Sequence, residues 1–438
     1  ERVVDVEWPE GRMSLSQMTL DETTEDSMSE TESTESGTTE MTTPGECSPR
    51  PLPKDQQPRG SPFFSHRFLA NRELWGCRPP KPELAAGFAS TRLPQLLRER
   101  ELPHLYGQID KVFASAWLDD TTVVGGTKDN QLVVWDTKTG LSISLPYHSQ
   151  HLQSAPAGDH CGIHSISVSP SKTILATGGL RPQDVVLFRL PSFEPIANCE
   201  GHEDWLFASA WLDDRWLVTG ARDRSCMIWD AGLAGDYVRG PTQVSKSHSA
   251  KVRGLAHNPL TKEFATLSAD GTMKFWDPCR FEVASSVALR HTQELVCLAL
   301  SPDHTLVAVG SQYHVQFVDP RSGVAHSINS QDSGWGVRSL SFLGGVLSVG
   351  GGAGRLSFLD MRTLGFIPVP SPCGQQKLFH SVGDGWLKRD EVYQTYFLDV
   401  PTPNAVYTHA YDPSSTKLFV AGGPLPFGLC GSYSALWS

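Results

Sequence analysis

Residues 201–230 contain Gly201-His202, then Thr219, Asp223 and Trp229, and residues 248–276 contain His248, Ser268, Asp270 and Trp276. A histidine, a carboxylate and a hydroxyl in one segment are the ingredients of nucleophilic catalysis: imidazole takes the hydroxyl proton and the carboxylate orients the imidazole. The set occurs twice at matching offsets, however, and each copy ends in a tryptophan. A reaction centre needs one copy. A hydrogen-bond relay from a loop histidine through a turn aspartate to an indole N–H needs one in each structural unit, so these eight residues read as architecture. No P-loop, nucleophile elbow or paired acid site accompanies them, and a non-catalytic protein without cofactor or metal is expected. The nine cysteines are odd in number and never spaced CxxC, which suggests neither a zinc site nor a disulfide framework. Free thiols fit a reducing compartment, cytoplasm or nucleus.

The elements that position these residues recur along the chain. A β-rich triplet appears as VWD (134–136), IWD (228–230), FWD (275–277), FVD (317–319) and FLD (358–360), with degenerate copies LFR (187–189) and LWS (436–438). Successive steps are 53, 41, 47, 42, 41 and 78 residues, and most of them lie near the roughly 40–45 residues of a WD-type repeat. The long steps imply a loop around 145–160 and an insertion within 363–403. Each unit opens on an alternating strand (KVFASAW, WLFASAW, KVRGLAHNP) and continues into one ending in small residues (VVGGTKD, LVTGARD, FATLSAD). Strand–turn–strand at this period is a propeller blade, and seven blades close a ring that leaves no long sheet edge. The fold expected is all-β, a seven-bladed WD-repeat propeller over 103–438. Its last blade borrows a fourth strand from just upstream of Lys111.

Aligning the first strands on Val112, Ile163, Leu206, Val252, Val296, Val337 and Val406 places Phe113, His164, Phe207, Arg253, Cys297, Arg338 and Tyr407 at the next position. Lys251 stands two residues before Arg253, on the same strand face, and Lys111 matches Lys251. Lys128 and Arg222 precede the turn aspartates of their units, where the fourth unit has Ala269. Both positions lie on one rim of the channel, so Lys111, Lys128, His164, Arg222, Lys251, Arg253 and Arg338 are expected to converge on an anion. On the opposite side, FVDPR (317–321) and FLDMR (358–362) set Asp319 with Arg321 and Asp360 with Arg362 in register in consecutive units.

The 438-residue chain carries a formal charge of −11 and 39% hydrophobic residues. Residues 1–60 hold 14 Asp/Glu against 5 Lys/Arg, so this stretch accounts for −9 of the total and the remainder is close to neutral. A global basic field that would draw nucleic acid is therefore not expected, and no segment is apolar for long enough to suggest a membrane. Residues 1–60, rich in Ser, Thr and Glu, read as a disordered acidic tail. Residues 61–102 read as a helical segment, with Phe64, Phe68 and Trp75 at helical spacing in FFSHRFLANRELW and a second helix over Pro94–Glu101 carrying Leu96 and Leu97.

The paired D-x-R residues resemble the motif of WD-repeat substrate receptors of cullin-4 RING ubiquitin ligases. LPxLLxERE (93–101), KVFASxW (111–117), CGIH (161–164), LATGG (175–179), GWL (385–387) and NAVYTHxYDxSxTKLFVAGGPLPxGL (404–429) resemble the branch of that family that reads proteins ending in Glu-Glu. The resemblance implies a substrate-recognition subunit, with ubiquitin transfer left to the assembled ligase. It implies that the seven rim residues bind the diglutamate end of substrate proteins. Asp319, Arg321, Asp360 and Arg362, with Phe64, Phe68 and Trp75, would meet the adaptor, the large damaged-DNA-binding subunit. A Glu-Glu terminus offers three carboxylates within two residues, and arginine forks suit such groups. The competing expectation is a non-enzymatic scaffold of an RNA- or chromatin-associated complex, its basic mouth holding a phosphate backbone.

Overall fold

The computed structural model describes residues 6–8, 11–13, 93–102, 109–145, 162–179, 181–232, 238–332, 334–370, 376–426 and 428–438. Phe64, Phe68 and Trp75, most of the expected acidic tail and the 146–161 loop lie outside them. Within the tail, the backbone of Val6–Trp8 pairs antiparallel with Gly11–Met13.

Seven sheets follow one another, antiparallel except where Val238–Arg239 joins the edge of the second in parallel. Their innermost strands are Val112–Trp117, Ile166–Val168, Leu206–Trp211, Val252–His257, Cys297–Leu300, Val337–Leu343 and Asn404–Tyr411, which define blades 1 to 7. The second strand of each blade is nearly all buried, as in Phe264–Ser268 and Val346–Gly351. Its residues face a neighbouring blade on either side, which is why it lacks polar alternation. Seven apolar clusters each bridge two adjacent blades. Trp135 of blade 1, for example, packs against Phe419 of blade 7 with ring centroids 5.3 Å apart. A single blade has a sandwiched face on both sides and nothing to bury it against, so the ring is the smallest unit that removes this surface from water.

Closure comes from upstream of blade 1, as the sequence suggests: Glu99–Glu101 pairs antiparallel with Gly431–Trp437, the third strand of blade 7. The helix expected over Pro94–Glu101 is confined to Leu93–Leu96. Its apolar face is also different, because Leu93 and Leu97 are buried between blades 6 and 7 while Leu96 is 55% exposed. Residues 99–101 pair with Trp437, Leu436 and Ala435 in turn, and that ladder outweighs the helical preference of the Glu-Arg-Glu run.

The expected insertion contributes a short strand, Phe379–Ser381, on blade 6 and another, Trp386–Leu387, against blade 7. A helix, Glu391–Tyr396, follows, its N-terminus capped by the Asp390 side chain accepting from Tyr393 N–H. Phe397 and Leu429, fully buried, anchor this helix through Leu387, Val392, Tyr393, Tyr396 and Val400.

Candidate functional site

The first-strand pairing slips at one place in blades 1, 3, 4 and 6. Val112 faces Thr127 but Ala114 faces Gly126, and the same slip skips Phe207, Arg253 and Arg338. In blade 7 the slip falls between Ala405 and Thr408, around Tyr407. A β-bulge leaves its extra residue out of the ladder and turns its side chain aside. Phe113, Phe207, Arg253, Arg338 and Tyr407 all line one cavity of about 300 Å³ at the channel, together with His164, Cys297, His409 and Leu425. This bulge breaks the strict i, i+2 rule used above. Arg253 lines the cavity, whereas Lys251 is not part of that lining and its carbonyl accepts Ala269 N–H at the rim.

His164, Arg253 and Arg338 are thus brought together from blades 2, 4 and 6. The His164 ring stacks on Phe113 at 4.6 Å and meets the edge-on ring of Phe207 at 5.2 Å. The Arg253 guanidinium lies 4.1 Å from the Phe207 centroid, a cation–π arrangement that leaves its planar fork directed by the ring. Arg338 donates through Nη2 to Glu294 Oε2 at 2.9 Å, and both side chains are nearly buried. Its Nε is buried with no acceptor. Gly336 makes this pair possible, because a Cβ there would sit 2.5 Å from Glu294 Oε2, and its φ of +86° also favours glycine.

The other four rim residues stand around this cavity rather than in its lining. Lys128 N–H donates to the Lys111 carbonyl at 2.8 Å, and Arg222 N–H to that of Trp205 at 2.8 Å, so the turn and strand-start positions are adjacent as the repeat alignment requires. Lys111 is buried, its ammonium donating to the Pro426 carbonyl at 3.3 Å. Lys128 lies 3.6 Å from Asp110, and Arg222 lies 3.7 Å from Asp204 with its guanidinium over Trp205.

Sequence reasoning missed the acids. Asp110, Asp204 and Glu294 each stand two residues before the aligned aliphatic of their blade, a signal visible in the same alignment that produced the cations. Each holds one cation of the rim, so the mouth is a framework of partly matched charge rather than a bare positive ring. Two further cavity residues, His409 and Cys297, could titrate. His409 is bonded on both nitrogens, to Ser339 at 2.7 Å and Ser348 at 2.8 Å, and burial lowers its pKa to about 4. Burial likewise pushes the Cys297 thiol up to about 12, which removes it as a nucleophile.

The relays have the geometry expected of architecture. His202 Nδ1 is 3.0 Å from Asp223, its Nε2 is 2.7 Å from Thr219, and Trp229 Nε1 donates to the same hydroxyl at 2.8 Å. The His202 side chain has no exposed surface. Burial alone would raise the Asp223 carboxyl, but His202 and Ser225 hold it well below the usual range. In blade 4 one member is corrected: the relay hydroxyl is Thr266, 2.7 Å from His248 Nε2 and accepting from Trp276 Nε1 at 2.9 Å. Ser268 instead donates to the Ala250 carbonyl at 3.0 Å. Thr266 lies four residues before Asp270, as Thr219 lies four before Asp223; Ser268 shares its face but sits one strand repeat farther along.

At the opposite end, the D-x-R segments form matching turns. Arg321 N–H donates to Asp319 at 2.8 Å and Arg362 N–H to Asp360 at 2.9 Å. Both arginine side chains are 82% exposed and fold back on their own aspartates. Cys279 N–H makes the same bond to Asp277 in blade 4, so the aspartates shape the turn and only the arginines distinguish blades 5 and 6.

A family model described as DDB1- and CUL4-associated factor 12 beta propeller matches residues 93–238 and 234–438. Among curated proteins, Pre-mRNA-processing factor 19 homolog 2 of Arabidopsis thaliana is 28% identical over 208 residues, 44% of this chain and 38% of that protein. Pre-mRNA-processing factor 19 of rice (Oryza sativa subsp. japonica) is 29% identical over 166 residues, 37% of this chain and 30% of that protein. The guanine nucleotide-binding protein subunit beta of Solanum tuberosum is 26% identical over 258 residues, 54% of this chain and 64% of that protein. The chain thus spans less than two thirds of the length of each of these relatives.

Proposed function

The chain belongs to the DDB1- and CUL4-associated factor 12 β-propeller family, and from that premise we propose that it is a non-catalytic substrate receptor for a cullin-4 ubiquitin ligase, binding acidic protein C-termini at the channel mouth. The observation that carries this reading is the pair Arg253 and Arg338 beside His164 in one cavity. A carboxylate is the acceptor whose geometry matches a guanidinium fork. The volume of about 300 Å³ is at the small end of ligand pockets, which suits the end of a chain and not a folded surface. Lys111, Lys128, Arg222 and Lys251 would steer the acidic segment toward the opening. Carboxylates set among the cations disfavour a phosphate backbone, whose repeating charge would meet Asp110, Asp204 and Glu294.

The test is a binding titration of the full chain with a peptide ending in Glu-Glu and with its C-terminal amide. The amide should bind at least about 30-fold more weakly, since one buried charge loses its partner; equal affinity would sink the reading. On the opposite face, Arg321 and Arg362 would contact the ligase adaptor. Arg321→Ala with Arg362→Ala should reduce recovery of the adaptor in a pull-down while the melting temperature stays unchanged, as both side chains are exposed.

A further inference from the structure

One cation near the mouth belongs to no repeat. Trp386–Leu387 pairs with Gly431–Ser432 of blade 7, and Lys388 N–H, next along, donates to the Cys430 carbonyl at 2.9 Å. The same turn is fastened to the rim of blade 1, because Gly431 N–H donates to Asp110 Oδ1 at 2.8 Å and Asp110 Oδ2 holds Lys128 at 3.6 Å. Lys111 reaches the other end of that turn through the Pro426 carbonyl. Cys430 thus sits between Lys388 and Asp110, its carbonyl bonded to Lys388 and the next residue's N–H held by Asp110.

Capping and packing hold this part of the insertion in place. Asp390 caps the helix that follows Lys388, and Phe397 with Leu429 buries its apolar face. Lys388 itself is 56% exposed, and its nearest carboxylate, Asp390, is 3.9 Å away, at the limit of an ion pair and open to solvent screening. Phe113 and Leu425 of the cavity lining are neighbours in sequence of Lys111 and Pro426. The cavity therefore has arginines of blades 4 and 6 in its lining, while the lysines of blades 7 and 1 stand outside that lining on the rim.

We propose that Lys388, with Lys128, forms a second subsite that selects an acidic side chain just upstream of the terminal pair. This rests on the carboxylate reading above. The division of labour follows from the side chains. Guanidinium forks fix the geometry of a terminus, while ammonium groups attract a carboxylate without demanding one orientation. A substrate with a third acid would bind better than one with only the terminal pair.

The experiment uses the full chain and fluorescent decapeptides ending in Ala-Ala-Glu-Glu, in variants with Glu or Lys at the third or fourth position from the end. Wild type should favour upstream Glu over Ala by about threefold to fivefold at low salt, the range of an exposed charge pair, and lose the preference at high salt. Lys388→Gln should abolish the preference, and Lys388→Glu should invert it toward upstream Lys, a gain that a misfolded variant cannot produce. An unchanged preference in both variants, or none in wild type, overturns the second subsite while leaving the terminal reading intact. Failure of every Glu-Glu peptide to bind wild type overturns both.

Discussion

His202, Thr219 and Asp223 in blade 3, and His164, Arg253 and Arg338 at the channel, are both small sets of polar side chains held in place by strand ends. In the first, each imidazole nitrogen has a protein partner within 3.0 Å and the ring is sealed from solvent. In the second, the histidine lies between aromatic rings, one guanidinium rests on a phenyl face, and the other keeps a buried Nε without an acceptor. Residue type alone would have pointed to the first set as the reactive one. What separates the two is the open volume beside the second set, which the sealed relay lacks.

The sharpest way to break this comparison is Arg253→Glu. Putting a carboxylate into the cavity should weaken binding of a Glu-Glu peptide by several-hundred-fold or more in fluorescence anisotropy, with little change in melting temperature. Loss of fold instead of binding would make Arg253 a strut like His202.

His409 sharpens the contrast because it lines the cavity and yet is fully partnered. Its folded pKa of about 4 against an ordinary 6.5 means that the unfolded chain binds the extra proton first as pH falls. Its contribution to stability is present above pH 6.5 and is lost as pH falls toward 4, by up to about 3 kcal/mol. Asp332 acts in the opposite sense, since burial raises its carboxyl to about 7. Urea unfolding of wild type and His409→Gln at matched pH values isolates the histidine: the difference between them should shrink on acidification.

The smallest effects belong to the relay. Thr266→Val strands the Trp276 indole N–H and His248 Nε2 and should cost about 2 kcal/mol, whereas Ser268→Ala should cost about 1 kcal/mol. Thermal melts returning the reverse order would restore Ser268 to the relay.

The ring was legible because it is periodic. Aliphatics at a fixed offset and triplets near the expected spacing give seven blades and the rim on which Lys128, Arg222 and Arg253 lie. Bulges were not legible, since a ladder slip depends on the register of two strands, and it was the slip that separated Arg253 from Lys251. The acids at 110, 204 and 294 occupied a readable column, but charge on a column does not show its partner: Lys128 and Arg222 belong to the same blades as their acids, and Arg338 to the next. Lys388 had no column at all. Local pattern also misled at 99–101, where a helix-favouring run became a strand because Gly431–Trp437 offered a ladder.

That three-residue strand has a mechanical consequence. It fastens parts of the chain that lie far apart, with Tyr433 donating its hydroxyl to Glu99 across 334 positions. Bringing such distant points together costs roughly 5 kcal/mol of chain entropy, which the stacked blades and this clasp must offset. It also fixes the spacing of blades 7 and 1, the two that carry Lys388 and Lys128. A fluctuation that sprang the clasp would part these lysines while leaving Arg253 and Arg338 in place, so the rim would loosen first on the side where the circle is joined.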